Sequence, residues 1–157
     1  MCIRDRSKPC AAVSTLEAMA YNVTAYDCVV CAAMDARCNQ VYVALFRVNG
    51  GKVERLTEEE CLKTDEAARM LSEYDDDIML VGDGAFIMKK ATDNEGLENV
   101  KIAPDPLRYQ TGYGVCLAAV NAPQLTPEQL MPMYLKLPQA QRELMAKNAE
   151  AYKERKE

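Results

Sequence analysis

The sequence predicts an α/β fold, a mixed sheet with helices on its faces. Three observations lead there. Two long strand patterns, residues 28–34 and 40–48, follow one another across the short polar turn Asp35-Ala36-Arg37-Cys38-Asn39, so they pair antiparallel. In the second pattern Val41, Val43 and Leu45 share one face, and Tyr42, Ala44, Phe46 and Val48 the other. Both faces are apolar, which marks a central strand covered on both sides rather than an edge. Farther on, short apolar strands alternate with helical patterns, as in right-handed crossover units.

The elements follow in order. Residues 7–13 read as a short strand. Ser14-Thr15-Leu16-Glu17 is a capping box opening a helix to about Tyr21. The two long strands come next. Asn49-Gly50-Gly51 is a turn, because Asn and Gly tolerate positive φ, and residues 52–56 return as a third antiparallel strand. Two helix starts then compete, Thr57-Glu58-Glu59-Glu60 and Thr64-Asp65-Glu66. Either leads to a helix ending near Tyr74, with Ala67, Met70, Leu71 and Tyr74 at helical spacing. Asp75-Asp76-Asp77 is a solvated turn. Residues 78–81 are a fully apolar strand, Gly82-Asp83-Gly84 a turn, and residues 85–90 a short helix. Residues 100–103 form the last strand, ended by Pro104-Asp105-Pro106. Tyr113, Cys116, Leu117 and Val120 mark one face of a helix from about Thr111 to the stop at Asn121-Ala122-Pro123, and Thr126-Pro127-Glu128 starts one short turn. A charged helical tail occupies residues 139–157.

From Cys28 the order is β-β-β-α-β-α-β-α. It is the order of a single lobe of the duplicated actin, sugar-kinase and heat-shock type fold, and no second copy is legible. The expected organisation is residues 1–6 unmatched and of foreign aspect, 7–24 the remnant of a preceding lobe, 25–138 a C-terminal lobe, and 139–157 the tail.

Composition narrows the chemistry. The chain has 157 residues and no histidine, which removes every His-based triad, acid/base pair and zinc motif. A formal charge of −5 argues against general nucleic-acid affinity. Seven cysteines, an odd number at irregular spacing without a secretory leader, point to a reducing cytoplasm. No apolar run reaches the length of a membrane span. Cys28-Val29-Val30-Cys31 has redox-pair spacing, but on a strand the two sulfurs face opposite sides, so both read as small buried hydrophobes.

The candidate ligand site is Gly82, Asp83 and Gly84. A glycine turn between a strand and a helix N-terminus is where anions bind. Against that, no Gly-Lys-Ser/Thr of a P-loop is present, and such a turn needs glycine for backbone reasons alone. Asp35 and Arg37 read as a hairpin with an Asx-type hydrogen bond. Consecutive Asp75, Asp76 and Asp77 cannot all face one cation. The mixed charges of the tail mark a solvated helix.

Four segments also resemble a known family. Lys8-Pro9-Cys10 with Val13-Ser14-Thr15-Leu16-Glu17-Ala18-Met19-Ala20, Asp35-Ala36-Arg37 with Gln40-Val41-Tyr42-Val43-Ala44-Leu45-Phe46-Arg47, Val81-Gly82-Asp83-Gly84-Ala85, and Tyr134-Leu135-Lys136-Leu137-Pro138-Gln139 are similar, in order, to motifs of the TsaB (YeaZ) family. Cys38 stands where that family usually has a second Arg. The resemblance implies a non-catalytic scaffold or dimerisation subunit of bacterial tRNA threonylcarbamoyladenosine synthesis, carrying no catalytic residue, metal or cofactor. Its implied partners are a TsaD-type catalytic subunit and a TsaE-type ATPase, with tRNA met only through the complex and no membrane involved. The docking surface would lie largely in the absent first lobe, and exposure of the lobe boundary implies self-association, possible as a homodimer. The alternative is a divergent actin-like phosphotransferase or ATPase using Gly82-Asp83-Gly84. A glycoprotease-like hydrolase, an old label for the family, would need a metal set or nucleophile that the sequence does not offer.

Overall fold

The computed structural model describes residues 8–136. The expectations for residues 1–6 and for the tail at 139–157 lie outside the described residues. The element order is β1 (Cys10–Ala11), α1 (Thr15–Ala20) running into a 3-10 turn (Tyr21–Val23), β2 (Cys28–Arg37), β3 (Gln40–Asn49), β4 (Lys52–Arg55), β5 (Glu60–Lys63), α2 (Thr64–Leu71), β6 (Ile78–Val81), α3 (Ala85–Asn94), β7 (Val100–Ile102), α4 (Asp105–Arg108), α5 (Gly112–Asn121) and β8 (Gln124–Leu125).

The main sheet runs β4-β3-β2-β6-β7, with β5 also paired to β3. The β2–β3 pairing is antiparallel, whereas β2–β6 and β6–β7 are parallel. The expected mixed sheet with helices on its faces is therefore present. Strand alternation divides the core into two layers. Val29, Cys31, Ala33, Val41, Val43 and Leu45 face α2 and α3, meeting Ala67, Leu71, Ala85 and Met88. Val30, Ala32, Ala44, Phe46 and Val48 face the other way and meet Leu16, Met19 and Ala20 of α1 with Val23. Leu45 and Phe46 are completely buried, one in each layer. Burial of each such side chain stabilises by about 1.5–3 kcal/mol. A second small sheet pairs β1 with β8.

The two hairpins are tight. Arg37 pairs with Gln40 across Cys38 and Asn39, whose φ values are +54° and +58°, as a two-residue primed turn requires. The register slips between Asp35 and Arg37, so β2 runs three residues farther than its apolar pattern, ending in a bulge. Asn49 pairs with Lys52 across Gly50 and Gly51, also at positive φ.

The largest departure from expectation is β5. Glu60–Lys63 pairs with the first half of β3, while β4 pairs with its second half. The edge breaks between them. The Leu45 carbonyl accepts from the Leu56 and Thr57 N–H groups, and the Leu45 N–H donates to Thr57 Oγ1 at 2.9 Å. A hydroxyl thus replaces a backbone acceptor where the strand leaves register. Helix α2 starts at the second of the two expected positions, where the Lys63 N–H donates to the Glu66 carboxylate.

Two helices also differ in detail. Ser14 caps α1 as expected, its Oγ accepting from the Leu16 and Glu17 N–H groups. Glu17 does not reach back to complete the box but binds Arg55. Helix α5 occupies its expected span with its faces exchanged. Gly114 and Ala118 are buried, whereas Tyr113, Cys116 and Val120 are exposed. The reason is close approach: a Cβ on Gly114 would lie 2.3 Å from the Ala18 carbonyl oxygen and 2.6 Å from Asn22 Oδ1. Only the small-residue face fits against α1. Finally, α3 runs four residues beyond its expected end and the Pro104 segment carries the single-turn α4, while Thr126 opens the short turn expected of it, the Gln129 N–H donating to its carbonyl at 3.0 Å.

Candidate functional site

The Gly82-Asp83-Gly84 turn joins β6 to α3 and lies against the end of β2. Gly82 has φ +95°, and a Cβ there would fall 2.0 Å from the Ala33 carbonyl oxygen. A Cβ on Gly84 would stand 3.0 Å from the same carbonyl. Backbone packing therefore demands glycine at position 82 and leaves little room at position 84. The N–H groups of both glycines are also committed. The Gly82 N–H donates to the Arg108 carbonyl at 2.7 Å, and the Gly84 N–H to the Ala33 carbonyl at 3.0 Å. An anion at this turn would compete with those two bonds. Asp83 is exposed, and its carboxylate accepts from the Asp35 N–H at 3.2 Å. The Asp35 carboxylate in turn accepts from the Arg37 N–H at 2.8 Å, the Asx-type bond expected of that turn. The structure thus brings Asp35 beside Asp83 as a relay of side chain to backbone bonds tying β2 to β6 and α3.

The acidic triplet disperses as expected of a solvated turn. Asp76 pairs with Arg47 at 3.0 Å and Asp77 with Lys101 at 3.8 Å. Among the described residues no group of three Cys, Asp or Glu side chains is placed to hold a metal ion. Cys28 and Cys31 belong to opposite core layers, so the C-x-x-C spacing brings no thiol pair together. Burial pushes the Cys31 thiol up to about 12. The Cys28 thiol is raised as well, by burial first and then by Asp77 and Asp27.

Two arrangements were not legible in the sequence. One is a groove of about 1080 Å³ between the start of α1, the β3–β4 edge and residues 130–136. That last segment crosses the sheet end and is anchored where Lys136 Nζ donates to the Ala36 carbonyl at 3.0 Å. On the groove wall Arg55 is held by Glu17 at 2.9 Å and Glu59 at 3.2 Å, over the Phe46 ring. The guanidinium is thus already matched by two carboxylates. The other arrangement is Arg108, buried between the Phe86 and Tyr109 rings and donating from Nε and Nη2 to the Ala103 carbonyl. It also pairs with the Asp105 carboxylate three residues earlier at 2.5 Å, but the Phe86 ring that covers its other side belongs to α3 and is remote in sequence.

Comparison with protein families matches residues 4–151 to TsaD: tRNA N6-adenosine threonylcarbamoyltransferase. Comparison with curated proteins finds no match. Two solved structures from Pseudomonas aeruginosa are similar. One is a protein described as similar to peptidase YEAZ, at 19% identity and TM-score 0.62. The other is YeaZ, at 20% identity and TM-score 0.62. Each match covers 82% of this chain and 60% of the solved chain, so this chain spans only part of the length of those proteins. At such identity the likeness establishes the fold.

Proposed function

The chain belongs to the TsaD family, tRNA N6-adenosine threonylcarbamoyltransferase, and from that premise we propose that it is a TsaB-like subunit, a scaffold without catalytic chemistry of its own. It would support threonylcarbamoyl transfer to the tRNA adenosine beside the anticodon by binding a TsaD-type catalytic subunit, with a TsaE-type ATPase completing the set. One observation carries the reading. At the turn where this fold would cradle a phosphate, both glycine N–H groups are bonded to carbonyls of the chain itself. The complete lack of histidine supports it, since the commonest general base and metal ligand is missing from all 157 residues. The lobe boundary near residue 25 and the cytoplasmic setting belong to the same proposal.

The test is co-purification of this chain with a TsaD-type subunit, followed by a threonylcarbamoyl transfer assay. The expected result is a complex, stable once a first lobe is joined ahead of this chain, whose activity survives Asp83→Asn. Failure to bind, together with retention of ATP that Asp83→Asn abolishes, would instead make Gly82, Asp83 and Gly84 an active site of the phosphotransferase kind.

A further inference from the structure

Residues 112–136 stand outside both core layers. The last residue buried in either layer is Ala103, and Leu107 is the last to pack against one. Within 112–136 only Gly114, Ala118 and Pro127 are buried, whereas Tyr113, Val120, Met131, Met133 and Tyr134 are exposed. Small contacts tie the segment down. Gly114 sits against the Ala18 carbonyl of α1, β8 pairs with β1 over two residues, and Lys136 Nζ donates to the Ala36 carbonyl. Just ahead of the segment the chain is fixed by Asn22. Its Nδ2 donates to the Tyr109 carbonyl at 2.7 Å, and its Oδ1 accepts from Thr111 Oγ1 at 2.7 Å. Thr111 in turn caps α5, its Oγ1 accepting from the Gly114 N–H at 3.0 Å.

We propose that residues 112–136 are a hinged flap that swings off α1 as one unit while the main sheet and its two layers stay folded. Local opening costs least where little apolar surface is buried, and this segment buries two small residues of α5 and one proline. Helix α1 keeps its place without the flap, because Leu16, Met19 and Ala20 belong to the layer on the sheet. Asn22 is the pin. Its bonds fall on the connection at 109–111, so α5 pivots there. Opening parts β8 from β1, uncovers the fully buried Ala18 side of α1, and withdraws the 130–136 wall of the groove. That side of α1 and the groove floor at Leu16, Met34 and Tyr42 become accessible together. Nothing in the device requires a scaffold role.

The experiment is native-state hydrogen exchange of the whole chain, read by mass spectrometry. Amides of α5 should exchange at least about 100-fold faster than those of β2, β3 and α3. A staple tests whether α5 and β8 move together. Position 125 stands opposite the native Cys10. In Leu125→Cys, with Cys2, Cys38, Cys61 and Cys116 replaced by serine, mild oxidation should join β8 to β1. The oxidised chain should then slow α5 exchange at least about tenfold against its own reduced form, with β2, β3 and α3 unchanged. Asn22→Ala, which removes the pin, should speed exchange throughout 112–125 and leave β3 as it was. Protection of α5 equal to that of β3 overturns the proposal. So does α5 exchange that ignores the staple, which would mean that the helix frays alone. An Asn22→Ala chain in which β3 speeds up by the same factor as α5 overturns it too, since Asn22 would then support the whole body rather than a hinge.

Discussion

A thiol in mid-strand shows how residue environment decides chemistry. Cys31 lies within the layer under α2 and α3, and its surroundings hold it protonated up to about 12, against 9.0 in the open chain. The unfolded chain therefore releases the proton first as pH rises. Between about 9 and 12 stability falls by about 1.4 kcal/mol per pH unit on account of this group, and below 9 it contributes no pH dependence. Chemical denaturation at several pH values should find that Cys31→Ala loses less stability from pH 9 to pH 11 than the parent does. Equal slopes for the two would mean that the thiol is less enclosed than the structure describes. The sequence already placed the two cysteines on opposite faces, because strand alternation is a local rule. It could not place Arg55 between Glu17 and Glu59, since such a triad depends on how α1 lies across the sheet.

Elements were legible where the pattern along the chain matched the pairing in space. Strands β2, β3 and β6 and helices α1, α2 and α5 follow from periodicity and caps. Strand β5 does not, because Thr57, Glu58 and Glu59 look like a helix start. In the structure the Thr57 hydroxyl is taken by the Leu45 N–H and the Glu59 carboxylate by Arg55. For α5 the periodicity found the apolar stripe but not which side is covered, a matter settled by Gly114 against Ala18. The β6–α3 turn was found as glycine-rich, yet the partners of its N–H groups, Ala33 and Arg108, are remote. Its role as a joint gives a prediction. Gly82→Ala adds a methyl group where the Ala33 carbonyl stands and strains a backbone at φ +95°, so it should destabilise by roughly 3 kcal/mol or more. Gly50→Ala, also at positive φ but in open space, should cost about 1 kcal/mol. Urea unfolding of both variants checks the contrast, and equal losses would refute the packing argument.

At the scale of the described residues, the main sheet carries a separate apolar layer on each side, and β2 and β3 contribute to both. Loss of either layer exposes the strands that the other needs, so the layers should fail together. Single-cysteine variants retaining only Cys28 or only Cys31 report one layer each. Their alkylation in urea should show coincident midpoints, and midpoints clearly apart would mean that the α1 side opens independently of the α2 and α3 side.

The broken edge formed by β4 and β5 has a further consequence. A sheet border is a template for amyloid-like growth when it is long, straight and apolar. Here the border is two four-residue pieces, Lys52–Arg55 and Glu60–Lys63, interrupted where Thr57 turns aside, with Lys52, Glu54, Glu60 and Lys63 exposed along it. The opposite border, Val100–Ile102, is three residues long and bears the exposed Lys101. Neither offers an incoming strand a run long enough to template a fibril. The same kink that spoils the helix start written in the sequence therefore protects the chain from misassembly.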